Sequence, residues 1–208
     1  MDFHKEILPA GTLETFSKLS HSSLIGNFYL AGGTGLALQL GHRFSNDLDF
    51  FTPKKFNEET TLQEIISLGK LRLEKKEAQA IVCQLDETKL SFLGYGYPLL
   101  EPLKHFDGIS VAEISDIACM KIDAIASRGT KRDFIDVYFV MKEIMPLNEI
   151  LANFKKKYAK LNYNTVHIKK SLVYFNDAEN DAMPRMIKPV YWEKVKETFE
   201  SEVKKLGL

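Results

Sequence analysis

Residues 30–51 read LAGGTGLALQLGHRFSNDLDFF, and the spacing of glycines and acids in that stretch decides the fold. Asp47 and Asp49 stand two apart in an apolar segment that reads as a strand. Strand side chains alternate, so both carboxylates face the same side. Side by side they repel each other unless a cation lies between them, which suits a Mg²⁺ (or Mn²⁺) that also holds phosphates. Upstream, Gly32 and Gly33 carry no β-carbon, so the backbone there can approach a triphosphate closely. Thr34 is expected to cap a short helix, 35–40, with Gly41 ending it, and the N–H groups at its start offer phosphate a positive dipole end. Asp47 can also serve as a strand cap beside Asn46. Asp49, between Leu48 and Phe50, has no such use and is costly to bury unless it faces a site. Arg43, in the connecting loop, either pairs with an acid or phosphate or is simply solvated, and His42 reads as structural.

The rest of the composition sets bounds. The chain has 208 residues, is 45% hydrophobic and balances 28 basic against 28 acidic side chains, so it can bury a substantial core and has no bulk charge that demands nucleic acid. Cys83 and Cys119 lie far apart with no CxxC spacing, which reads as two buried thiols in a reducing compartment rather than a zinc site. There is no apolar run of membrane length and no signal-peptide core at the N-terminus, so the expected location is cytoplasmic, with no membrane partner.

Periodicity gives an α+β chain with strands and helices in residues 1–110 and a helical region in 111–208; the expected architecture is a mixed sheet flanked by helices, with the helical region packing on that core and completing its cleft. Helices are expected over 10–22 and 59–68. Short strands are expected over 27–31 and 47–52, and near 70–75, 78–85 and 88–94, with Asp86-Glu87 as a hairpin turn. Ser115 is expected to cap a helix to Ser127, and Thr130 with Asp133 to form a capping box for the next, ending before Pro146. Residues 147–175 look helical and basic, and a last helix spans about 189–206.

Residues 120–139, MKIDAIASRGTKRDFIDVYF, hold the second candidate cluster. Lys121 and Arg128 fall on one side of a helix, two turns apart, and with Arg132 are the cations available to a triphosphate. Lys121 can equally snorkel to water. Asp136 can pair with Arg132, orient Lys121 or receive a substrate hydroxyl, and Asp133 reads as the acid of the capping box.

These two stretches, with the tail YFNDAENDAMP and Trp192, resemble the AbiEii/AbiGii toxin family of nucleotidyltransferases, within the polymerase-β-like superfamily. The resemblance implies a bacterial enzyme with a minimal nucleotidyltransferase sheet, the toxin half of a toxin–antitoxin or phage-defence pair. It would move a nucleotide from an NTP to an RNA (tRNA for some members) or protein acceptor. Carried onto this chain, it makes Gly32 and Gly33 the phosphate turn, Asp47 and Asp49 the metal ligands, Lys121 a phosphate contact and Asp136 a catalytic or structural acid. The chain departs from the pattern twice. Gly33 stands where many members have serine, leaving Thr34 as the nearest hydroxyl, and Ser91 stands where the superfamily usually has a third carboxylate. Glu74, Asp86 and Asp136 are the acids that remain to supply that charge. Without it, the rival expectation is a non-catalytic nucleotide- or partner-binding module.

Overall fold

The computed structural model describes residues 3–161 and 163–207, and the chain divides into two compact units, Met1–Glu113 and Ile114–Leu208. In the first unit, α1 (Ala10–Ser20), α2 (Gly32–Leu40) and α3 (Glu58–Leu68) accompany a sheet built from β1 (Tyr29–Leu30), β2 (Leu48–Thr52), β3 (Leu71–Glu77), β4 (Ala80–Leu85), β5 (Thr88–Gly94), β6 (Lys104–Phe106) and β7 (Ile109–Val111). Its order is β3-β4-β5-β2-β1-β7-β6. The β2–β5 and β1–β7 pairs are parallel and the others antiparallel, so the sheet is mixed and the fold α+β, as the periodicity implied.

Alternation in β2 does the positioning. Leu48, Phe50 and Thr52 are buried while Asp49 and Phe51 are only partly so. Phe50 stacks on Phe92 at 5.3 Å, and Phe92 meets Phe28 edge-on at 5.1 Å. Burying each such ring stabilises by about 1.5–3 kcal/mol, which locks the register that sends the odd-numbered residues to the other face. Hairpins join β3 to β4, β4 to β5 and β6 to β7. Asp86 turns β4 into β5 with φ +52°, and Asp107 and Gly108 turn β6 into β7 with φ +44° and +83°. The β6–β7 hairpin has no counterpart in the sequence reading, although Asp-Gly between alternating residues is a strong two-residue turn signal. β3 forms one edge of the sheet and is exposed and charged along its length, which discourages pairing with another chain.

The second unit is helical: α4 (Ile114–Ser127), α5 (Lys131–Glu143), α6 (Leu147–Lys157), α7 (Thr165–Ser171), α8 (Asn176–Glu179) and α9 (Trp192–Lys205). The ring of Phe134 is the hub of its core, 5.2 Å from Phe175, 5.8 Å from Trp192 and 5.2 Å from Phe199. The basic stretch expected over 147–175 is two helices, and one of its lysines is not solvated at all. Lys157 Nζ lies 2.6 Å from Asp116 Oδ1, with both side chains fully buried. Ser115, expected as a cap, lies inside α4 instead.

Both cysteines are buried, and burial pushes each thiol up to about 12, so neither is a nucleophile near neutral pH. Among the described residues no helix is long and apolar enough to cross a membrane.

Candidate active site

In the first unit, Asp49 is the second residue of β2 and Asp47 lies just before the strand, both partly buried. Gly32 opens α2 with φ +61°, and a β-carbon there would stand 2.7 Å from Asp49 Oδ2. The glycine is therefore required twice, for its left-handed backbone and for the space the carboxylate fills. A β-carbon on Gly33 would in turn collide with Arg43 Nη2. Arg43 is not a solvated loop residue. It is 3% exposed, and Nη1 donates to the Phe44 carbonyl at 3.1 Å. His42 is buried beside it.

Thr34 is not the helix cap, because Ala31 holds that position and α2 begins at Gly32. The Thr34 side chain is 1% exposed, donates to the Asp47 carbonyl and has the Ser45 hydroxyl 2.7 Å away. It ties the first turn of α2 to the loop that delivers Asp47. Gly41 does end the helix in the left-handed conformation, with φ +61°.

Ser91 lies directly across the parallel ladder from Asp49. Two acids proposed to replace a third carboxylate are committed elsewhere. Asp86 receives Lys18 Nζ at 2.6 Å and the Lys70 N–H at 3.1 Å, while Glu74 meets Arg72 at 3.3 Å. Among the described residues no group of three or more His, Cys, Asp or Glu side chains is placed to hold a metal ion. Two carboxylates and a hydroxyl are all-oxygen donors. They fit a hard cation such as Mg²⁺, which commonly takes one or two carboxylates and completes its shell with water and substrate phosphates.

In the second unit, Lys121 sits between two buried acids, 2.9 Å from Asp133 Oδ1 and 2.7 Å from Asp136 Oδ2. Of the partners open to Asp136, the structure thus pairs it with Lys121. Asp133 is the residue that sequence reasoning undervalued. Besides Lys121, it takes Arg128 Nε at 3.0 Å and Nη2 at 3.3 Å, and the Thr130 hydroxyl at 2.7 Å. Thr130 therefore donates to the acid instead of capping the backbone, and the capping box is not made. Burial alone would raise the Asp133 carboxyl, but the charges and hydrogen bonds of Lys121 and Arg128 outweigh it and hold the group down at about 2. Arg128 keeps most of its side chain in solvent, and Arg132 is exposed on α5.

Residues 15–89 and 93–205 match the family described as Nucleotidyl transferase AbiEii toxin, Type IV TA system. An uncharacterized protein of Aquifex aeolicus (strain VF5) is 43% identical over 196 residues, covering 92% of this chain and 93% of its own. Among solved structures, JHP933 from Helicobacter pylori superposes with a TM-score of 0.55 at 21% identity, over 96% of this chain and 93% of that one. MenT4, a nucleotidyltransferase toxin from Mycobacterium tuberculosis H37Rv, does so with a TM-score of 0.56 at 14% identity, over 94% and 86%. At these identities the two structures establish a shared fold.

Proposed function

This chain belongs to the AbiEii family of nucleotidyltransferase toxins, and on that premise we propose that it transfers a nucleotide from an NTP to a hydroxyl of an RNA acceptor. The observation that carries the proposal is Asp49 in β2 with Gly32 shaped around its carboxylate, while Thr34 of α2 bonds the backbone of Asp47 two residues earlier. Asp47 and Asp49 would hold a divalent cation, which when bound supplies neutralisation of the triphosphate charge. The N–H groups at the start of α2 face an anion favourably, and Thr34 keeps that turn in register with Asp47. Asp49 is assigned as the base that takes the proton from the acceptor hydroxyl. The hydroxyl oxygen bonds to the α-phosphorus, the bond from that phosphorus to the bridging oxygen breaks, and pyrophosphate leaves with the electron pair.

In the second unit, Lys121 and Asp136 hold each other in place as a buried pair, and Arg128 and Arg132 are exposed. The toxin–antitoxin description of the family makes a cognate antitoxin the natural protein partner.

The test is transfer from each labelled NTP, with Mg²⁺, to total bacterial RNA. Label on RNA with the wild type and none with Asp49→Asn is the expected result. Label on protein alone would move the acceptor from RNA to protein. NTP binding without label anywhere would leave the binding module, with Ser91 in place of a ligand, as the correct reading.

A further inference from the structure

The second unit contains a cavity of about 560 Å³ that the proposed chemistry does not use. It lies between α6 and α7, with Leu206, just past the end of α9, at one wall. That volume is in the range of sites that enclose a small molecule, roughly 300–1,000 Å³. Leu151 and Leu161 supply an aliphatic surface, and the partly exposed Tyr163 ring supplies an aromatic one, backed by the buried Phe154 and Tyr158. Phe154 lies 4.7 Å from Tyr158 and 4.9 Å from Tyr163, and the two tyrosines are 5.5 Å apart. The Tyr163 hydroxyl donates to Asp123 at 2.6 Å, which fixes the orientation of that ring.

The polar lining is selective in sign. Lys155 and Lys169 are its charged members, and Lys169 is held by one hydrogen bond to the Leu206 carbonyl at 2.7 Å. Between residues 147 and 171 there are six lysines against a single acid, Glu149, in a chain whose formal net charge is zero. Lys157 is consumed by Asp116, and the others are left to solvent or to this wall. Asn148 and Thr165 add neutral donors and acceptors. A cation is disfavoured by this field. A planar body with an anionic group is favoured, because rings stack on it and ammonium groups neutralise it.

We propose that this cavity is a second nucleotide site that takes a nucleobase with its phosphate, either as a free nucleotide or as an unpaired unit of an RNA strand. The RNA source rests on the acceptor reading above; the stacking and charge argument does not. Binding is therefore measured without catalysis, in EDTA, on the full chain. The probe is a short fluorescein-labelled single-stranded oligoribonucleotide followed by anisotropy, with AMP, CMP and decanoate as competitors. Ala152→Trp fills the cavity from its open side, and Lys155→Glu reverses charge at an exposed position that tolerates substitution.

Each variant is expected to weaken oligonucleotide binding by about tenfold, the size of a lost stacking or phosphate contact. Displacement of the probe from wild type, but not from Ala152→Trp, by a mononucleotide identifies the free nucleotide as a ligand. Loss of probe binding in the variants with no mononucleotide effect identifies the RNA unit. Wild-type affinity in both variants, or displacement by decanoate and not by nucleotides, overturns the proposal. Failure of wild type to label RNA in the transfer assay would overturn the acceptor reading and leave this binding result standing.

Discussion

The carboxylate of Asp49 occupies the space that a side chain on Gly32 would need, with 2.7 Å between Oδ2 and the position of the missing β-carbon. Gly32→Ala must therefore displace the acid and also hold alanine at φ +61°. The backbone term is about 1–2 kcal/mol of stability. Moving a reacting group by an ångström can lower a rate about 100-fold, so transfer should fall far more than the melting temperature. Parallel melting curves and rate measurements check this split.

Ser91 faces Asp49 across the ladder, so Ser91→Asp would place a third carboxylate at the metal pair. In EDTA the added like charge should destabilise the protein by about 1 kcal/mol. Mg²⁺ should reverse that loss, and the Mg²⁺ concentration for half-maximal activity should fall by about tenfold. Titrations of melting temperature and of transfer against Mg²⁺ read both effects.

Asp133 supplies a pH dependence with a definite sign. Its carboxyl is depressed in the folded chain to about 2 from the ordinary 3.8. The unfolded chain binds the proton first, so the stabilisation is complete above the ordinary value and fades as the pH falls from there through about 2. Asp133→Asn should remove this part of the acid transition and lower stability at neutral pH by about 3 kcal/mol, because Lys121 and Arg128 lose a buried acceptor. Urea melts across that pH range, wild type against variant, test the sign.

Lys157 and Asp116 form a pair with no solvent to soften its loss. Lys157→Met alone should destabilise by about 3–5 kcal/mol, while Lys157→Met with Asp116→Leu should recover most of it. A double-mutant cycle by denaturant unfolding is the check. Additive losses would mean that packing, not charge, holds this part of the second unit.

The centre of the fold was legible in the sequence because its signals are local. The glycine pair, the acids at i and i+2, the left-handed Gly41 and the Asp86 turn each have one comfortable backbone solution. The parallel pairing that sets Ser91 opposite Asp49 was not legible in the strand pattern, and only the family resemblance pointed to Ser91. Asp133 was misread because its signal is not local. Its spacing from Thr130 satisfies a capping box, while the partner that claims it, Lys121, sits on the preceding helix, where no short-range rule looks. Thr34 likewise has a good cap's identity, but the hydroxyl finds its acceptor across the loop at Asp47. The β6–β7 strands escaped because each is only three residues long, although Asp107-Gly108 between them is a turn signal.

The parallel pairing of β2 with β5 also sets an order of events during synthesis. Asp49 leaves the ribosome about 40 residues ahead of the strand it must lie against, and the β3–β4 excursion comes between them. Parallel contacts of that separation form late, after the local hairpins and helices. A nascent chain truncated before β5 thus carries Asp47 and Asp49 without the strand that pairs with β2 on that side. The proposed site is therefore a late product of folding, complete only once the strand bearing Ser91 has docked.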